Sequence, residues 1–183
     1  MSSWRQFDPD ALRSAAPLSA AARVRVLGLD PGSRRTGFGV IDCVGNGHTH
    51  IANGCIAAQG EAIATRLRAI FEGIENLIAT YRPDEVAVER VFVSRNVDSA
   101  MKLGQARGAA LCAVPAGTAV FEYAPRAIKL AVVGSGAAEK TQVAHMMKVL
   151  LQLADIPGSD AGDALAVALC HAHSRRLRLV VAS

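Results

Sequence analysis

Leu27-Gly-Leu-Asp30-Pro-Gly-Ser-Arg34 decides the reading of this chain. Apolar residues from Val24 onward run into Asp30 and a Pro-Gly turn follows, the pattern of a buried strand that ends on a carboxylate. Such a group is costly to keep at the rim of an apolar sheet unless something positive binds it. Two further segments repeat the theme. Val86-Ala-Val-Glu89 is a short apolar run closed by an acid, and Ser159-Asp160-Ala-Gly-Asp163-Ala-Leu-Ala166 sets two acids at the opening of an apolar helical pattern. At i and i+3, Asp160 and Asp163 share a helix face with Cβ atoms roughly 5–6 Å apart, where like charges repel unless a cation lies between them.

Outward from Asp30, glycines punctuate a second strand over Thr36–Asp42, and Gly45-Asn-Gly47 turns the chain into a third around His48–Ala57. Such short connections predict an antiparallel meander. Ile63, Leu67, Ile70, Ile74 and Leu77 recur every three or four residues, predicting a helix over Glu61–Thr80 that stops at Arg82-Pro83. A strand at Glu85–Glu89 follows this crossover and is expected to run parallel to a meander strand. Further helices are predicted over Asp98 to about Val114, from Pro125, over Glu139–Leu151 and from Asp160 to about His173, with a strand at Ala119–Tyr123. The order βββαβαβα predicts one α/β domain with a five-stranded mixed sheet flanked by helices. Residues 1–23 lack a clear period and are expected to form a flexible N-terminal extension to a domain spanning 24–183.

If the first and fourth strands are parallel neighbours, Asp30 and Glu89 emerge side by side at the carboxyl edge of the sheet, where ligands bind in such folds. Four carboxylates converging there would make a magnesium site. Oxygen ligands suit Mg²⁺, and a pair of ions, with Mn²⁺ as a possible substitute, serves phosphodiester cleavage that leaves 5′-phosphate and 3′-hydroxyl ends. Gly32, Gly37 and Gly39 are expected to let the backbone turn tightly and approach a phosphate or metal closely. Plainer roles exist for each acid. Asp-Pro-Gly is a favourable turn, Asp160 is a good helix N-cap, and Glu89 can pair with Arg90 or Arg95.

The bulk properties agree with a nucleic-acid enzyme. The formal charge is +4, and between Arg90 and Lys148 eight basic residues face three acidic ones, so a basic surface adjoins the acidic positions. No apolar run reaches the ~18 residues of a membrane span. Cys43, Cys55, Cys112 and Cys170 are scattered without zinc spacing, which points to reduced thiols and the cytoplasm.

Gly28–Ser33, Glu89–Phe92, Asp98–Gly108 and Asp160–Ala166, taken in order, resemble the RuvC family of crossover junction endodeoxyribonucleases, bacterial resolvases of Holliday junctions with an RNase H-like fold. The resemblance spans about Val24 to His173. It implies that Asp30, Glu89, Asp160 and Asp163 are catalytic metal ligands. It also implies that Phe92 stacks on unpaired bases at the crossover and that Arg95, Lys129 and Lys140 serve DNA binding. The implied partners are four-way junction DNA, a second copy of the chain, and the RuvA–RuvB branch-migration complex. A twofold junction cut on two like strands calls for a C2 homodimer. The second helix is a plausible interface, with Gly104, Gly108 and neighbouring alanines shortening its side chains and Met101 and Leu111 offering apolar contact. The alternative is that this face packs on its own sheet. Two rival functions remain open: a phosphotransferase of the actin-like ATPase superfamily, whose phosphate loop is also an Asp-x-Gly hairpin but which usually needs two related domains, and a non-catalytic DNA-binding module.

Overall fold

Alternation along the strands sets the architecture. In β1 (Val24–Asp30), Leu27 and Leu29 point to one side of the sheet while Val26 points to the other, and all three are buried. The sheet is therefore covered on both faces. The computed structural model describes residues 22–90 and 96–181, the side chains of 176–181 excepted. Most of the expected N-terminal extension, together with Phe92 and Arg95, lies outside the described residues.

The strands β1, β2 (Arg35–Val44), β3 (Gly47–Ala57), β4 (Glu85–Glu89) and β5 (Ala119–Tyr123) lie in the order β3-β2-β1-β4-β5. The first three form the antiparallel meander, and β4 and β5 add in parallel to β1. Helices α1 (Ile63–Tyr81) and α2 (Val97–Cys112) cover one face, where Ile70, Ile74, Ala106 and Ala110 meet Leu27, Leu29, Val86 and Val88. The other face carries α3 (Pro125–Val133), α4 (Lys140–Leu150) and α5 (Ser159–Val181), packed on Val26, Ile41 and Ala87.

Helix ends follow local chemistry. Asn96 caps α2 by accepting a hydrogen bond from the Ser99 amide at 3.1 Å, which starts the helix one residue before the expected Asp98. Glu139 and Gln142 form a reciprocal capping box that makes Lys140 the first residue of α4. Arg82 adopts a left-handed conformation at the end of α1, with its amide bonded to the Ile78 carbonyl at 2.9 Å. The expected end of the last helix near His173 is corrected: α5 runs on to Val181, because nothing after Ser174 breaks a helix.

The glycines of β1 and β2 have a different role from the one expected. Gly28 pairs with Gly39, and Asp30 pairs with Gly37, so three glycines form a strip across two strands. A Cβ on Gly28 would stand 2.2 Å from the Ala164 carbonyl oxygen, and one on Gly37 only 1.9 Å from that of Asp160. At Gly39 it would press on Leu165 at 2.7 Å. The strip is thus the seat of α5, and Gly37 and Gly39 hold a helix close instead of admitting a phosphate. Gly32 serves the turn itself, where a Cβ would meet the Arg35 carbonyl oxygen at 2.3 Å. Further along α5 the fully buried His171 binds the Tyr123 hydroxyl at 2.8 Å and Glu85 at 2.6 Å, which ties the helix to β4 and β5.

Candidate active site

Two periodicities bring the acids together. Side chains two apart on a strand share a face, so Asp30 projects with Gly28, and Glu89 with Ala87, toward α5. Leu29 lies opposite Val88 in the parallel ladder, which leaves Asp30 and Glu89 side by side at the strand ends. The first turn of α5 rests over Gly37, the residue opposite Asp30, and delivers Asp160 and Asp163 to the same edge. Asp160 is the second residue of the helix rather than its N-cap. Negative charge is favoured there by the helix dipole.

Asp30, Glu89 and Asp163 line one cleft of about 340 Å³ together with Lys129 and Lys140. A larger hollow of about 680 Å³ lies between β3 and the 151–157 loop, but Asp155 is its one acidic wall residue, and charged groups do not converge in it. The chemistry belongs to the smaller cleft.

Burial pushes the Asp30 carboxyl up, and the nearby Asp163 charge pushes it further. Burial, and then Asp30, push Glu89 up to about 7. The interaction between the two carboxyls favours the charged form of Asp30 and the neutral form of Glu89. Asp163 accepts a hydrogen bond from Lys140 Nζ at 2.9 Å. Asp160 leans the other way, with one carboxylate oxygen 2.6 Å from Arg35 Nε and 3.7 Å from Cys55 Sγ. Among the described residues, no three His, Cys, Asp or Glu side chains stand close enough to hold a metal ion as they are. The donors at this edge are all carboxylate oxygens, the set that suits a hard divalent cation.

Of the expected residues, the fold thus gathers Asp30, Glu89, Asp163, Lys129 and Lys140 in one cleft and sets Asp160 at its flank. Arg35 and Cys55 were missed by reading the sequence. Arg35 lies 125 positions from Asp160, and only the antiparallel meander, with α5 laid across it, brings the two together. Basic residues also stand outside the cleft: Arg90 and Arg107 both pair with Glu122 on β5.

A mixed five-stranded sheet, helices on both faces and an acidic edge flanked by lysines define a nuclease of the RNase H-like class. The chain belongs to the RuvC family: the family model for the crossover junction endodeoxyribonuclease RuvC matches residues 26–171. The crossover junction endodeoxyribonuclease RuvC of Shewanella pealeana is 51% identical over 158 residues, which cover 86% of this chain and 91% of that relative. Thermus thermophilus RuvC, solved in complex with a Holliday junction substrate, is 34% identical over 85% of this chain and 96% of its own, with a TM-score of 0.80. The yeast mitochondrial Holliday junction resolvase shares the fold at 9% identity and a TM-score of 0.60, covering 94% of this chain and 92% of its own.

Proposed function

We propose that this protein resolves four-way DNA junctions by paired, symmetric, metal-dependent cleavage of phosphodiester bonds, leaving 5′-phosphate and 3′-hydroxyl ends. The observation that carries the reading is the convergence of Asp30, Glu89 and Asp163 with two lysines in one cleft of a RuvC-family chain. Asp30, Glu89, Asp160 and Asp163 would hold two Mg²⁺ ions, or Mn²⁺ in their place. When bound, the metal supplies an activated water and stabilises the charge that develops on the departing 3′-oxygen.

The chain's own groups do the rest. To hold the metal, Asp30 and Glu89 would both be deprotonated, against the burial and mutual repulsion that raise them. Lys140, whose pKa is raised by its hydrogen bond to Asp163, stays charged through the working pH range. It and Lys129 face the cleft and can take phosphate oxygens of the cut strand. Phe92 follows the Glu89 strand closely in sequence, and its role is stacking on bases at the crossover, worth roughly 1–3 kcal/mol per base. Arg95 is assigned to the DNA backbone.

The oligomer is a C2 dimer through α2. Val97 and Met101 are 68% and 62% exposed, and a Cβ on Gly104 or Gly108 would meet nothing within 4 Å. These four residues follow one another at helical spacing and form an open stripe, while Ala106 and Ala110 face the chain's own core. Of the small residues, Gly104 and Gly108 stand open while Ala106, Ala109 and Ala110 pack on the chain's own core. Leu111 is corrected, since it packs against the core instead of joining the stripe. RuvA–RuvB is the proposed partner in branch migration, and the cytoplasm the proposed location. Among the described residues no helix is long and apolar enough to cross a membrane.

A direct test offers labelled four-way junction and linear duplex at equal concentration, with and without Mg²⁺. Cleavage of the junction alone, only with metal, and with ligatable ends is the expected outcome. Equal cutting of linear duplex would overturn junction selectivity, and cutting in EDTA would overturn the metal.

A further inference from the structure

Arg35 opens β2 two residues before Gly37, and the period of the strand puts both on the face that α5 covers. Because Gly37 has no side chain, the backbone of Asp160 comes down onto the sheet there. The Asp160 carboxylate then meets the Arg35 guanidinium at 2.6 Å. The arginine stays 66% exposed and Asp160 is 34% exposed, so the pair stands at the mouth of the acidic edge. The opposite flank has the same arrangement, in which Lys140, 74% exposed, holds Asp163.

We propose that Arg35 is a counter-ion that alternates between two anions: the Asp160 carboxylate before a divalent cation is bound, and a phosphate of the DNA strand afterwards. The inference rests on the four-carboxylate reading above. A dication at Asp160 takes over the negative charge that holds Arg35 and repels the guanidinium from beside it. The freed fork is already solvent-facing at the edge of the cleft. The nearest abundant anion is then the phosphodiester backbone, which a guanidinium binds in bidentate fashion. Arg35 thereby competes with metal in the free protein and neutralises a phosphate in the metal-loaded complex. This links metal loading to grip on the substrate. Arg35 is a positioning residue, because it acts on the proposed metal through Asp160.

The test uses the full chain and three variants, Arg35→Met, Arg35→Lys and Asp160→Asn, each first checked by thermal melting. Calorimetric titration with Ca²⁺, without DNA, reads metal affinity independently of cleavage. Arg35→Met is expected to bind Ca²⁺ roughly two- to fivefold more tightly, the range set by the strength of an exposed ion pair, while Arg35→Lys stays near wild type. Junction affinity is then measured across salt. In Ca²⁺ the slope of log K against log salt should be shallower by about 0.9 for Arg35→Met, because one phosphate fewer is neutralised, and should match wild type in EDTA. Unchanged or weaker Ca²⁺ binding by Arg35→Met overturns the proposal, as does an equal slope in Ca²⁺. If Asp160→Asn leaves Ca²⁺ affinity unchanged, the carboxylate reading itself fails. If only Asp160→Asn weakens binding, that reading stands and the role of Arg35 falls.

Discussion

The Glu89 proton governs how the acidic edge responds to pH. Glu89 is raised to about 7, with burial the main cause and the Asp30 charge the next. The folded protein keeps this proton where the unfolded chain, with an ordinary glutamate pKa, has released it. The contribution of Glu89 to stability is therefore nil below about pH 4, turns unfavourable as pH rises toward 7, and stays so above that. Glu89→Gln removes the penalty and should stabilise the protein in EDTA at pH 8 by about 1–3 kcal/mol, with little gain at pH 4. Urea denaturation at the two pH values checks it, and a destabilised variant at pH 8 would contradict a strained carboxylate pair. A divalent cation held by the proposed ligands would need both carboxylates deprotonated, so metal binding should release protons and its affinity should climb between pH 6 and 8. Calorimetry in buffers of different ionisation enthalpy measures that release directly.

The element that builds the site is α5, and its placement depends on the glycine strip. Gly37 lies opposite Asp30 and under the Asp160 carbonyl, so one position fixes both halves of the acidic edge. Gly37→Ala should cost about 1–3 kcal/mol, as overpacking does. Weaker Ca²⁺ binding should follow, because the helix that carries Asp160 and Asp163 lifts from the sheet. Unchanged melting and Ca²⁺ affinity in that variant would show that α5 is not seated here. Much of this level was legible beforehand. Apolar runs and spacings placed the strands and α1, small residues marked α2 and Pro125 the start of α3, and the parallel pairing of β1 with β4 followed from the crossover. Asp30 and Glu89 were legible as neighbours for the same reason. The purpose of Gly37 and Gly39 was not, since a glycine in a strand marks a close approach without saying what approaches. Nor was the Arg35–Asp160 pair, which depends on how β2 and a distant helix cross. The reach of α5 past His173 was missed because apolar periodicity fades there while helix-compatible residues continue.

At the scale of the whole molecule, one acidic edge per chain has to serve a substrate with two like strands to cut. In the proposed C2 dimer the open stripe of Val97, Met101, Gly104 and Gly108 on α2 would meet a second copy. Gly104→Arg adds bulk and charge to that stripe and should shift the protein to monomer in sedimentation velocity at micromolar concentration while leaving its melting temperature nearly unchanged. A dimer that persists in this variant would place the interface elsewhere. The central claim is that the carboxylates gathered by β1, β4 and α5 cut junction DNA, and Asp163 offers the most direct test. Asp163→Asn keeps the volume of the side chain and removes its charge as a metal ligand. On a synthetic four-way junction it should bind within a few-fold of wild type in Ca²⁺ yet cut at least about a hundredfold more slowly in saturating Mg²⁺. Near-normal cleavage by that variant would contradict the account.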